Sequence, residues 1–166
     1  MSTMPAARRR VITRQVVEWA AWDWGSAAFN AVATTFVFTT YLTSDGVFTD
    51  SGTASTWLSN GMTIAGLFIA LLAPITGQRA DRRGRGGVWL GWFTGLVVAC
   101  MLAMYFVHPE SVLGPKGALM LGIALLGLGN VFFEFASVNY NAMLNHLGEK
   151  EDRGKISGFG CASGYI

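Results

Sequence analysis

Charge is what this sequence has least of. Asp, Glu, Lys and Arg make up 13% of its 166 residues against 52% hydrophobic ones, too little for an ordinary soluble domain. Two stretches, 55–76 and 88–106, hold no charged residue at all. Its two cysteines, Cys100 and Cys161, lie far apart in apolar surroundings, which excludes a disulfide framework and a cysteine-built metal site. No glycine-rich phosphate loop, metal-ligand cluster or nucleophile–base pair occurs, so the expectation is a protein without catalytic residues, cofactor or metal. A cleavable signal peptide is not expected either. The first apolar stretch is as long as a full membrane span, carries Asp23 and shows no small-residue cleavage site.

What is present is apolar length. Hydropathy divides the chain into four complete spans, near 19–41, 55–76, 88–106 and 119–140, each close to the roughly 20 residues that cross a bilayer as a helix. A fifth begins near Ile156 and is cut at Ile166. This predicts an all-α, polytopic helical membrane protein, with residues 1–166 the N-terminal part of a larger protein or the product of a truncated gene. The charges are sorted by side. Arg8, Arg9, Arg10 and Arg14 precede the first span, Arg79, Arg82, Arg83 and Arg85 follow the second, and Lys150, Arg153 and Lys155 follow the fourth. Lys116 alone falls opposite, with Asp45, Asp50 and Glu110. By the positive-inside rule the N-terminus is cytoplasmic, in the cell membrane, and the basic segments need no nucleic acid to explain them.

The most charged stretch, G-Q-R-A-D-R-R-G-R from Gly77 to Arg85, is caught between the two uncharged runs. Topology alone accounts for its arginines. It does not account for Gly77 and Gly84 bracketing a lone acid, Asp81. The spacing G-x-x-A-D-R-x-G-R resembles the loop between the second and third helices of the major facilitator superfamily, usually G-x-L-A-D-R-x-G-R-K; Arg79 and Gly86 depart from it. The resemblance implies a twelve-helix transporter fold and a cytoplasmic latch made by Gly77, Asp81, Arg82, Gly84 and Arg85. An aspartate among arginines can lock one arrangement of neighbouring helices by charge-assisted hydrogen bonds.

Polar residues inside the spans are ordered. Asp23, Ser26, Asn30, Thr34 and Tyr41 share one stripe of the first span at 100° per residue, with Trp22, Phe29 and Phe36 on another face. In the fourth span Asn130, Glu134, Ser137 and Asn141 fall within about 60°, while Gly117, Gly122, Gly127 and Gly129 permit tight packing in its outer half. Such stripes either join helices by hydrogen bonds or border a water-filled cavity. The third span, with only Thr94 and Cys100 as mildly polar residues and a Gly91/Gly95 pair, reads as peripheral. Pro74 is expected to bend the end of the second span. Counting from the span centres puts Asp23 about 10 Å and Glu134 about 7 Å to the cytoplasmic side of the midplane. An acid at that depth faces protein or water, not lipid. Glu134 is the candidate coupling or substrate-binding acid, with protons as candidate coupling ion. Its alternative is an ion pair with a cation in the remaining helices; Asp23 would hold the first span in place.

W-A-A-W-D-W-G-S-A-A-F from Trp19 to Phe29, Y-N-A-M-L from Tyr140 to Leu144 and R-G-K-I-S-G-F-G-C-A-S-G-Y from Arg153 to Tyr165 resemble, in order and spacing, the branch of that superfamily that includes the fungal vacuolar amino-acid effluxers linked to autophagy. Gly25 stands for the usual alanine, and Cys161 for a tryptophan. The resemblance implies export of amino acids or similar small solutes from within the bilayer, by alternating access. The rival readings are an exporter of unrelated solutes and a truncated membrane remnant that transports nothing.

Overall fold

The computed structural model describes residues 14–83, 86–147 and 158, with the backbone alone at 15, 77–83 and 144–147. All regular structure among the described residues is helical: α1 (Arg14–Ala28), a π-helical segment (Phe29–Phe36), α2 (Phe38–Thr43), α3 (Ser51–Arg83), α4 (Gly86–Met104) and α5 (Gly114–Leu147). Ser51–Thr76, Gly86–Met104 and Gly114–Met143 are long and apolar enough to cross a membrane. The chain is a multi-pass helical membrane protein. The first expected span, 19–41, is helical throughout except at Val37, but is built as α1, π and α2 instead of one uniform α-helix. The expected fifth span lies outside the described residues.

The chain divides into two compact units. One includes helical residues 14–26 and 144–147; the other, Ala27–Met143, holds the core. In the first, Arg14 and Glu18 pair at 2.7 Å one turn apart on an exposed surface, a contact of small worth.

In the second unit α5 is the hub. Half of its apolar window is buried, against about a tenth for α3 and a sixth for α4. Glycines make that possible, since each lets a neighbour approach the α5 backbone. Leu42, at the end of α2, and Val107 fill the space at Gly122; Phe29 and Cys100 lie against Gly129; Ala65 of α3 lies against Gly127. The exchange is mutual on α3, where Gly61 receives the side chain of Ile123. Leu42, Leu119 and Leu126 are fully buried as a result. The helix α4 adds one face only, through Leu90, Val97, Cys100 and Met104, spaced at helical intervals. Gly91 and Gly95 meet nothing within 4 Å, so this pair faces outward.

Between α2 and α3 the chain turns through Gly46, whose φ of +73° suits a residue without a Cβ. Asp50 then caps α3, its carboxylate accepting the amide of Thr53 at 2.9 Å, while Asp45 accepts the amide of Ser51 at 3.1 Å. The Thr53 hydroxyl, and after it the amide, hold the Asp50 carboxyl below the usual carboxylate range.

The other end of α3 departs from expectation. The helix continues without interruption past Pro74 to Arg83, so residues 77–83 of the charged stretch are the end of a helix. Pro74 removes the backbone donor that would serve the Ala70 carbonyl, and the Thr76 hydroxyl donates separately to the Ala73 carbonyl at 2.9 Å. Glutamine, arginine and alanine at 78–80 are good helix formers, which one glycine at 77 does not outweigh.

Candidate functional site

The site is built on the flank of α5 that its neighbours leave open. Ile123 and Gly127 on this side pack on α3, through Gly61 and Ala65. Two turns further on, the same side carries Asn130, Glu134 and Ser137, all half-buried, and Asn141, exposed. The opposite side stays closed, with Phe135, Ala136, Asn139 and Tyr140 buried. The polar wedge expected of the fourth span therefore coincides with the open side of the helix. Neither the Glu134 carboxylate nor the Asn130 amide has a hydrogen-bond or ion-pair partner among the described residues. Asn141 bonds only within its own helix, to the Ser137 carbonyl at 2.9 Å.

Phe29 brings the first span to this level. Its ring lies in the gap at Gly129, where a Cβ would be 3.2 Å from its Cζ, and stacks on Phe133 with centroids 5.3 Å apart. Residues 29 and 129–133 therefore share one depth; Asn30, the next residue, is exposed at that level. Asn30 and Thr34 form a local pair, the Thr34 hydroxyl donating to the Asn30 carbonyl at 2.7 Å.

The stripe expected along the first span is not continuous. Its 100° count fails across the π segment, where turns are wider. Tyr41 is turned inward, its hydroxyl donating to the Val107 carbonyl at 3.2 Å and its ring meeting Phe48 edge-on at 5.2 Å. Tyr41 fastens the α2 end of the bundle. Asp23 belongs to the other unit, where its carbonyl accepts the Ser26 hydroxyl at 2.8 Å and its half-buried carboxylate has no partner among the described residues. Of the latch residues, Gly77, Asp81 and Arg82 have helical backbone, their side chains lying outside the described set; Gly84 and Arg85 lie outside the described residues altogether.

One polar residue escaped the sequence reading. Asn139 is 1% exposed; its amide group donates to the Phe135 carbonyl at 2.6 Å, and its own oxygen has no partner among the described residues. It sits on the closed side of α5, opposite the polar wedge, where periodicity gives no reason to look. Beside the wedge, α3 and α5 border an open groove of about 470 Å³ lined by Trp57, Ile64, Phe68, Ile123 and Leu128, with Asn60 as its polar residue. Its apolar lining suits packing more than it suits a polar solute.

No family model and no solved structure matches the chain. It is similar to a protein of Bacillus subtilis strain 168 described as the uncharacterized MFS-type transporter YxiO, with 30% identity over 158 residues. The likeness covers 93% of this chain and 35% of that protein, so the chain spans about a third of the length of the curated relative it matches.

Proposed function

The chain belongs to the major facilitator superfamily, and from that premise we propose that it is the cavity-forming N-terminal part of a secondary transporter that exports amino acids or similar small solutes. The observation that carries this reading is Glu134, half-buried on α5 and without a partner among the described residues, with Asn130 a turn away and Asn30 exposed at the level that Phe29 fixes. An ionised carboxylate inside a bilayer costs about 2.5–3.5 kcal/mol even on lenient scales, so it does not face lipid without return. Facing a cavity, it supplies an acceptor for a solute ammonium group or a site for the coupling proton. The amides of Asn30 and Asn130 supply both donors and acceptors for the polar remainder of the solute. Transport then follows from rocking of helical bundles about this level, with Asp81 and its arginines holding one of the two states closed. The amino-acid branch is supported by the W-A-A-W-D-W-G, Y-N-A-M-L and G-F-G-C-A-S-G-Y stretches.

The test is efflux from vesicles containing the full-length protein and loaded with a panel of labelled amino acids. Loss of one class of amino acid faster than from protein-free vesicles supports the proposal. Retention of the entire panel, with other small solutes leaving, contradicts the amino-acid reading; retention of everything contradicts export.

A further inference from the structure

We infer that Thr39 is a positioning residue, whose hydroxyl holds the π-helical register of Phe29–Phe36 and thereby fixes the exposed side on which Asn30 stands. The inference rests on the reading of Asn30 as part of the solute path.

The sequence prepares the segment for an irregular turn. Between Val32 and Thr40 six residues are β-branched (Val32, Thr34, Thr35, Val37, Thr39 and Thr40). Such residues crowd the preceding turn of an α-helix and lose side-chain freedom there. The backbone shows the consequence as a run of bonds displaced by one residue, which ends at Val37. The Val37 amide donates to the Val32 carbonyl, five residues back, at 3.1 Å. In an α-helix that amide would have gone to Ala33. The Ala33 carbonyl has thus lost its α-helical donor, in a residue only 2% exposed.

Thr39 makes up the deficit. Its hydroxyl lies 2.9 Å from the Thr34 carbonyl and 3.3 Å from the Ala33 carbonyl, five and six residues back. A threonine in a regular helix reaches the carbonyls three or four residues back, as Thr43 does with Thr39 at 3.0 Å. Reaching five and six back is possible only across a widened turn, and it satisfies the carbonyls that the widening strands. The register matters because both ends are fixed on α5: Phe29 at Gly129, and Leu42 at Gly122. Return to α geometry would give Ala33 and Thr34 their own amide donors again. It would also turn the residues before the segment by about 100° relative to those after it. Asn30 would leave the exposed side, and Phe29 its slot.

The experiment is cysteine-accessibility scanning of positions 29–36 in the full-length protein, carrying Cys100→Ala and Cys161→Ala, in membranes with a small water-soluble thiol reagent. With Thr39 present, Asn30→Cys reacts and Ala33→Cys does not. In Thr39→Val the reactive positions move and Asn30→Cys falls to the rate of Ala33→Cys; in Thr39→Ser, which keeps the donor, the original pattern returns. Should Thr39→Val fail to give a monodisperse protein, Thr39→Ala removes the same donor and carries the same expectation. An unchanged pattern in the donor-less variant overturns the inference, as does a Thr39→Ser pattern that matches it. Labelling needs no solute, so a protein that exports nothing leaves this result intact, while an unchanged pattern defeats the role of Thr39 even where export is normal.

Discussion

Adding one methyl group at Gly122 tests the packing about α5 directly. A Cβ there would sit 2.6 Å from one methyl of Leu42 and 3.0 Å from a methyl of Val107. Leu42 is 0% and Val107 3% exposed, so neither has open space to retreat into. Overpacking of this kind costs about 1–3 kcal/mol. Alanine in place of glycine returns about 0.8–1.0 kcal/mol of helix propensity. The control is Gly91→Ala, where the added methyl meets nothing and only the propensity gain remains. The two variants should therefore differ by the overpacking cost alone, about 2–12 °C in midpoint for a chain of this size. Thermal scans in detergent, followed by the fraction that remains monodisperse, give the comparison. Leu42→Ala should cost less in the Gly122→Ala background than in the wild type, because the two changes share one space. Equal midpoints for Gly122→Ala and Gly91→Ala would refute the close approach of the α2 end to α5.

Two further outcomes follow from the turn before α3 and the charged end of α3. Because its capping bonds lower the Asp50 carboxyl, the contribution of Asp50 to stability is complete above the free aspartate value of about 3.9 and is lost as pH falls through the lower folded value. The midpoint difference between wild type and Asp50→Ala should accordingly be present at neutral pH and vanish in strong acid; a difference that persists there would count against the cap. In the full-length protein Asp81→Asn should slow export more than Arg83→Gln at equal expression, since position 83 is the variable slot of the motif. Equally mild effects would reduce the stretch to a topology signal.

The parts that hydropathy could read were those where one property runs the length of an element. The stretches 55–76 and 88–106 carry no charge; the first lies within α3, and α4 covers the second as far as Met104. Only the middle of α5 is visible in this way. The helix itself runs from Gly114 to Leu147, beyond the expected 119–140: Pro115 is tolerated in a first turn, and hydropathy marks the apolar centre of a helix, not the end of its backbone bonding. The glycines of α5 were legible as packing positions, and Gly122, Gly127 and Gly129 occupy that role. The break in the first span was not legible, because a fixed angle per residue presupposes the α geometry that the threonine- and valine-rich run from 32 to 40 disrupts. That assumption put Tyr41 on the polar stripe, when its hydroxyl is bonded inward to Val107. Asn139 was missed for a related reason: periodicity finds polar residues that share a face, and this one is alone on a buried face.

Everything in the functional account converges on Glu134, and its most direct measurement is solute flux across a range of pH. Vesicles holding the full-length protein are loaded with the exported amino acid, and efflux is followed between mildly acidic and mildly alkaline conditions for wild type and Glu134→Gln. The account predicts that wild-type efflux changes with pH, and that Glu134→Gln, with the same hydrogen-bonding shape but no titratable proton, is slow and loses that dependence. A Glu134→Gln protein that exports at the wild-type rate with the wild-type pH profile would contradict it.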